Sequence, residues 1–89
     1  MRQIKLTGRE VSVIKALGFT DSKLGNEIQD YTQMEMDDVT DTLNGLMAAG
    51  FVECIPFAEE VQLAETPVTT FELNPAYAQE LKLAIYRST

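Results

Sequence analysis

The hydrophobic pattern of this 89-residue chain changes its period at Gly50, and this change constrains the fold more than any other feature. Four apolar residues before Gly50 recur at the spacing of one helical face: Val39, Leu43, Leu46 and Met47. Glycine commonly ends a helix, so the pattern predicts a helix over residues 37–49. Residues 51–55 are rich in β-branched and aromatic side chains and predict a strand. The chain therefore passes directly from a helix into a strand.

Further elements of both kinds are predicted on either side of this junction. Thr7 and Glu10 have the spacing of a capping box, and Thr20 is a second candidate N-cap. Asn74 followed by Pro75 is typical of the start of a helix. An alternating run before Asn74 predicts a second strand. The predicted helices cover residues 7–17, 21–31, 37–49 and 75–87, and the predicted strands cover residues 51–55 and 68–73.

Two residues near the start of the second predicted helix have opposite effects on it. Leu24 has the spacing from Phe19 of a hydrophobic staple, so we expect Leu24 to be buried together with Ile28. Gly25 lies inside the predicted helix, where glycine lowers helix stability. We therefore expect Gly25 to be a weak point of this helix.

The composition excludes several classes of chemistry. The chain contains no histidine and a single cysteine, Cys54. Histidine-dependent nucleophiles, histidine-containing or all-cysteine zinc sites and an intrachain disulfide are therefore impossible. The glycines are scattered and form no phosphate-binding loop. We expect a non-enzymatic protein without a cofactor, in which Cys54 is a small buried residue.

The length and the terminal residues predict the domain organisation and the compartment. Eighty-nine residues fill one core, so we expect a single domain over residues 1–89. No segment approaches the roughly 20 apolar residues of a membrane-spanning helix. The first five residues lack the apolar stretch of a signal peptide. These features favour a cytoplasmic protein that does not bind membranes.

Three stretches of the chain resemble winged-helix proteins, in particular small bacterial winged-helix transcriptional regulators. Leu6-Thr7-x-x-Glu10 resembles their opening helix. Val39-Thr40-x-Thr42-Leu43, continuing to Gly50-Phe51-Val52, resembles the third helix and the first wing strand. Phe71-Glu72-Leu73-Asn74-Pro75 is similar to the second wing strand and the start of the last helix. The resemblance implies an α+β winged helix: a three-helix helix-turn-helix core, a two-stranded β-hairpin wing and a C-terminal helix.

The resemblance also implies a DNA-binding surface, which the charge distribution opposes. In the family, the third helix enters the major groove, and its counterparts here are Asp37, Thr40, Asp41 and Asn44, with a wing at residues 56–67. Between Thr20 and Thr66, however, eleven residues are acidic and only Lys23 is basic. Specific duplex binders commonly neutralise about 6 to 10 phosphates with Lys and Arg. The charge therefore disfavours DNA as the partner.

Three hypotheses of function follow. The first is a non-enzymatic winged-helix regulatory or adaptor module whose acidic third helix and wing bind a protein, in particular a basic one. The alternative is a DNA-binding transcriptional regulator of the winged-helix type that acts as a dimer. The third, a metal-dependent enzyme, would use an acidic cluster that lacks the residue order of a calcium loop: Glu35, Asp37, Asp38 and Asp41.

The first hypothesis assigns partner contacts to the third helix and the wing. The predicted contact residues are Asp37, Thr40, Asp41, Asn44, Gly45, Ala48, Glu59 and Glu60. Gly45 is included because a mid-helix glycine costs about 1 kcal/mol relative to alanine, and a small residue lets another backbone approach closely. A tolerated glycine without a role is the alternative interpretation.

The last predicted helix carries apolar residues outside its core-facing arc. On a helical projection Leu83 and Tyr86 lie one turn apart, on the side opposite Leu81 and Ile85. A symmetric pair of these helices would bury both residues, which predicts a homodimer through the C-terminal helix. The alternative is that two isolated apolar surface residues have no role.

Overall fold

The structure is a computed structural model and describes residues 4–88. Those residues form four α-helices and one three-stranded antiparallel sheet, which confirms the α+β class. The helices are α1 (Gly8–Leu17), α2 (Gly25–Thr32), α3 (Met36–Ala48) and α4 (Ala78–Ser88). The strands are β1 (Lys23–Leu24), β2 (Val52–Ile55) and β3 (Thr70–Leu73). Within the described residues, every helix is too short or too polar to cross a membrane.

Helix ends with a strong local signal lie where the sequence predicts them. The Glu10 N–H donates to Thr7 Oγ1 at 3.2 Å, and the Thr7 N–H donates to Glu10 Oε1 at 2.7 Å, which confirms the capping box. Gly50 has φ +85° just beyond α3, a conformation that favours glycine. Asn74 caps a short 3-10 helix, Pro75–Tyr77, which leads into α4.

The start of the second helix was predicted wrongly. Residues 21–24 are not helical, and α2 begins at Gly25. The N–H of Leu24 donates to Glu27 Oε1 at 2.8 Å, so the capping carboxylate comes from Glu27 and the hydroxyl of Thr20 has no such role. The Leu24 side chain is exposed rather than buried, because its residue belongs to a strand and not to a helix facing the core.

The sheet has one strand more than the predicted two-stranded hairpin. Its order is β1-β3-β2, and β3 pairs with both neighbours in antiparallel register. Lys23 is opposite Phe71 on one side, and Cys54 is opposite Phe71 on the other. The predicted strand over residues 68–73 is shorter than expected, because Thr66–Val68 forms a 3-10 helix before β3. β2 lies at an edge of the sheet.

The core lies between α1, α2, α3 and the inner face of the sheet, and α4 closes it. Its largest fully buried side chains are Phe71, Ile14, Leu17, Ile28, Leu43, Leu46 and Leu81. Cys54 is also buried, as predicted for a small apolar strand residue. Complete burial of one Leu or Phe contributes about 1.5–3 kcal/mol, so these residues supply the main driving force for folding.

Gly25 is a site of close packing and not the predicted weak point. A Cβ atom at Gly25 would overlap the carbonyl oxygen of Thr66. The Gly25 N–H also donates to the Thr69 carbonyl oxygen at 3.0 Å. The absence of a side chain at Gly25 therefore allows α2 to start directly against the segment that precedes β3.

Candidate partner-binding site

The segment between β2 and β3 folds back against α3 instead of extending as a free wing. Asn44 Nδ2 donates to the Val61 carbonyl oxygen at 3.0 Å, and the Val61 N–H donates to Asn44 Oδ1 at 2.8 Å. The Val61 side chain is buried. Asn44, predicted as an exposed contact residue, is therefore a half-buried anchor for this loop.

Thr40 provides a second contact between α3 and the loop after β2. Its hydroxyl donates to Thr66 Oγ1 at 2.7 Å inside the protein, and the Thr66 hydroxyl donates in turn to the Gln62 carbonyl oxygen at 3.1 Å. Thr40 is 6% exposed and Thr66 is 0% exposed. This placement corrects the expectation that Thr40 contacts a partner or a base, because the loop covers the face of α3 to which Thr40 belongs.

Four other predicted contact residues of α3 form one exposed stripe. They follow each other at i, i+4, i+8 and i+11, which places them on the same side of a helix: Asp37, Asp41, Gly45 and Ala48. A Cβ at Gly45 would have no neighbour within 4 Å, so the stripe is open to solvent at its middle. We call these four residues the acidic stripe. Asp38 points elsewhere and pairs with Arg9 of α1 at 3.4 Å.

The acidic stripe leads into a groove between the C-terminal end of α3, strand β2 and the loop after β2. The apolar lining of the groove includes Met47, Ala48, Val52 and Phe57. Three carboxylates belong to the same groove: Glu53, Glu59 and Glu60. Its volume is about 530 Å³, and it opens to solvent. We call these seven residues the acidic groove.

Phe57 is the most unusual side chain of the acidic groove. It is 76% exposed, although aromatic rings of this size usually contribute to a core or to an interface. Its loop neighbours include the exposed carboxylates of Glu59 and Glu60. An aromatic ring bordered by acids is suited to a segment that carries both apolar and basic side chains.

The charged residues that line the groove are all acidic. The sequence has no Lys or Arg between Lys23 and Lys82, so no basic side chain from α2, α3 or the whole β2–β3 segment offsets the acids. Glu53 is directly opposite Glu72 in the β2–β3 pair, and like charges at such positions are destabilising. The pair places two carboxylates side by side on the outer face of the sheet.

Part of this site was predicted from the sequence. Ala48, Glu59 and Glu60 were predicted as contact residues, and the structure brings all three to the acidic groove. Glu53 and Phe57 were not predicted. A signal for Phe57 existed, since it is a large aromatic residue in a loop otherwise made of acidic and small residues.

The groove presents carboxylates, one aromatic ring and small apolar side chains. Within residues 4–88, no three Cys, Asp or Glu side chains converge as ligands for a metal ion. The Cys54 thiol is buried and donates to the carbonyl oxygens of Pro56 and Ala58, each at 3.5 Å. A buried, hydrogen-bonded thiol is inaccessible as a nucleophile. The exposed carboxylates and the Phe57 ring are the groups that the groove presents.

A second surface of interest lies on α4. Leu81 and Ala84 are buried against the core, whereas Leu83 is 44% exposed and Tyr86 is 80% exposed. The two predicted dimer residues therefore lie on the outer side of α4, as the helical projection indicated. The acidic groove combines carboxylates, an aromatic ring and aliphatic side chains. The outer side of α4 presents the two apolar side chains of Leu83 and Tyr86.

Comparison of the chain with protein-family models, with curated proteins and with solved structures found no match.

Proposed function

We propose that the protein is a non-enzymatic regulatory or adaptor module of the winged-helix type that binds a basic protein through its acidic stripe and acidic groove. The winged-helix type is supported by the order of elements, in which three helices precede the β2–β3 hairpin and a closing helix. The contact surface differs from the one that the resemblance implies, because the loop after β2 occupies part of α3.

One observation carries the proposal: the exposed Phe57 ring shares a groove with Glu53, Glu59 and Glu60. Interfaces commonly depend on an aromatic anchor at the centre and on charged groups around it. Carboxylates at the rim accelerate association with a basic partner and exclude acidic ones. The apolar ring supplies the contact that makes the complex persist.

Duplex DNA is the weaker candidate for the same surface. Of the four residues at the base-reading positions of the resemblance, Thr40 and Asn44 are bound to the loop. The other two, Asp37 and Asp41, are exposed acids, which repel phosphates. At about 0.15 M salt we expect no micromolar complex with mixed duplex fragments. Fluorescence anisotropy of labelled fragments tests this expectation.

Binding can be tested with a fluorescent peptide in which lysine and valine alternate. We expect a complex whose affinity falls as salt rises, because opposite charges are screened at higher ionic strength. A peptide in which glutamate replaces every lysine serves as the negative probe. Absence of any complex with the lysine-valine peptide, or a micromolar complex with duplex DNA, would overturn the proposal.

A matched pair of double variants separates the groove from general charge attraction. Glu59→Gln with Glu60→Gln should weaken the peptide complex about tenfold or more, since rim carboxylates near an aromatic anchor are lost. Asp30→Asn with Glu35→Gln removes the same number of exposed charges outside the groove and should have a much smaller effect. Equal weakening by the two pairs would mean that the peptide recognises net charge alone, and would contradict a site at the groove.

A further inference from the structure

We infer that α4 of a second copy of this chain occupies the acidic groove when no basic partner is bound. The inference extends the proposed function, on which it rests for the choice of the groove. The groove is suited to a segment with apolar and basic side chains, and α4 presents both kinds on its outer side. The second copy therefore competes with the partner and limits its access to the groove.

Four neighbouring residues on the outer side of α4 are apolar or basic. Leu83 and Tyr86 are exposed, and the exposed side chains of Lys82 and Arg87 lie beside them on the helix. Residues at i, i+1, i+4 and i+5 share an arc of about 140°. We call these four residues the basic face of α4. Because Leu81 anchors the opposite side of α4, the basic face points away from the core of its own chain.

No other helix within residues 4–88 combines these two kinds of side chain. α1 has the exposed bases Arg9 and Lys15 but no large exposed apolar residue. α2 has the exposed ring of Tyr31 but no base, and α3 has neither a base nor a large exposed apolar residue. Among the described helices, α4 is therefore the one whose outer side has the chemistry that the groove requires.

The lining of the groove complements the basic face group by group. The Phe57 ring and the Met47 side chain provide apolar contacts for Leu83 and Tyr86. The three carboxylates of the groove are opposite in sign to the two bases of α4. Opposite charges around an apolar contact fix the orientation of two surfaces. A second copy therefore supplies both kinds of contact from one helix.

Charge distinguishes this arrangement from a pair in which α4 contacts only α4. Such a pair buries Leu83 and Tyr86, but it also brings Lys82 and Arg87 of both copies to one interface. Like charges across an interface are unfavourable. In the groove the same apolar residues are buried, and the bases meet carboxylates instead. When each copy places its α4 in the groove of the other, two-fold symmetry closes the assembly as a dimer.

The net charge of the chain does not prevent this contact. Each copy has a formal net charge of −7, which repels a second copy at long range. At about 0.15 M salt, exposed charges more than about 8 Å apart are largely screened. The charges that face each other at the interface therefore decide the association, and these are opposite in sign.

An exchange of charge between the two surfaces tests the inference, with light scattering at tens of micromolar protein as the measurement. The wild type should have a mass of about twice 9.9 kDa. Glu59→Lys with Glu60→Lys should be monomeric, and so should Lys82→Glu with Arg87→Glu, because each pair places like charges together. The protein with all four substitutions should dimerise again, since opposite charges then face each other in reversed order.

A matched control separates the groove from general effects of charge. Asp30→Lys with Glu35→Lys makes the same change of charge on exposed residues outside the groove and should leave the dimer intact. Circular dichroism should show that every variant is folded, because all the substituted side chains are exposed. This check matters most for Lys82, whose ammonium lies 5.3 Å from the centre of the Phe19 ring.

The lysine-valine peptide connects the inference with the proposed function. The peptide should convert the wild-type dimer into a monomer, because both ligands occupy the same groove. Leu83→Ala with Tyr86→Ala removes the apolar contacts of α4 without a change of charge. This variant should bind the peptide about threefold or more tightly than the wild type at tens of micromolar protein, since its groove is free of a second copy.

The possible results distinguish the inference from the proposed function. A wild-type mass near 9.9 kDa, a dimer that survives Glu59→Lys with Glu60→Lys, or a monomeric four-fold variant would each overturn the inference. Peptide binding that leaves the dimer unchanged would also overturn it, while the proposed function would stand. A dimer that depends on the groove, without any peptide binding, would support the inference and overturn the proposed function.

Discussion

The Asn44 side-chain amide forms two hydrogen bonds with the backbone of a single residue, Val61, which lies 17 positions further along the chain. The donor and the acceptor of the amide are both used, so the loop is fixed in position and in orientation. This contact holds the loop after β2 against α3, and the acidic groove lies between them and β2. The stability of the loop and the geometry of the groove therefore depend on the same residue.

Asn44→Ala should lower the free energy of unfolding by about 1–3 kcal/mol, because both Val61 backbone groups lose their partner at a part-buried position. Urea unfolding followed by circular dichroism measures this change. Asn26→Ala is the control, since Asn26 is an exposed helical residue of α2, and its effect should remain within about 0.5 kcal/mol. Similar small effects of the two variants would mean that the loop does not depend on Asn44.

Gly25 and Gly45 should respond in opposite ways to substitution by alanine. Gly25→Ala places a methyl group against the Thr66 backbone and should destabilise the protein by about 1–3 kcal/mol, the usual range for overpacking. Gly45→Ala adds a methyl group in open solvent and should stabilise α3 by up to about 1 kcal/mol. Thermal unfolding of both variants tests the pair. A stable Gly25→Ala protein would contradict the close contact between α2 and Thr66.

The buried hydroxyl pair predicts an order of effects. Thr66→Val removes the acceptor for Thr40 and the donor to Gln62, whereas Thr40→Val removes one hydrogen bond and leaves the Thr66–Gln62 bond intact. We expect a loss of about 1 kcal/mol for Thr40→Val and a larger loss for Thr66→Val, which leaves a buried donor unsatisfied. Denaturant titration of both variants measures the order. The reverse order would contradict the direction of this hydrogen-bond chain.

Phe57 and Phe71 provide a test that separates binding from stability. Phe57→Ala should change the free energy of unfolding by less than about 0.5 kcal/mol, since its ring is largely in solvent. The same variant should weaken binding of the lysine-valine peptide, because the aromatic anchor is lost. Phe71→Ala should cost about 3–5 kcal/mol, since Phe71 is fully buried. A strongly destabilised Phe57→Ala protein would assign Phe57 to the core instead.

The sequence predicted those elements whose signals are local. The capping box of Thr7 and Glu10 and the glycine after α3 act within a few residues, so the ends of α1 and α3 were predicted within one or two residues. β1 was missed because its two residues carry no pattern of their own and depend on β3, far away in the chain. Because Lys23 and Leu24 belong to β1, α2 begins at Gly25 and not at residue 21 as predicted.

The residues of the candidate site also differ in whether a local signal predicts them. The shared exposed face of the acidic stripe can be predicted, because the sequence itself shows the helical spacing of its residues. The roles of Thr40 and Asn44 depend on contacts with Thr66 and Val61, and no local rule specifies which loop residue reaches α3. The groove was therefore predicted only in part, since its position follows from how the loop after β2 folds back.

The exposed apolar side chains of α4 predict that the protein associates with itself through this helix. Leu83 and Tyr86 lie on the outer side of α4, where a two-fold pair of helices would bury both. Leu83→Glu with Tyr86→Glu should convert a dimer of twice 9.9 kDa into a monomer, as measured by light scattering at tens of micromolar protein. Burying two added carboxylates at such an interface is strongly unfavourable.

The control for this dimer is a second pair of exposed apolar residues elsewhere on the protein. Leu63 and Tyr31 are 47% and 67% exposed, close to the 44% and 80% of Leu83 and Tyr86. Leu63→Glu with Tyr31→Glu changes charge and hydrophobicity by the same amount and should leave the dimer intact. A wild-type mass near 9.9 kDa would refute the dimer. A dimer that survives the α4 substitutions would place the interface on another surface, because only an interface at α4 requires Leu83 and Tyr86 to be apolar.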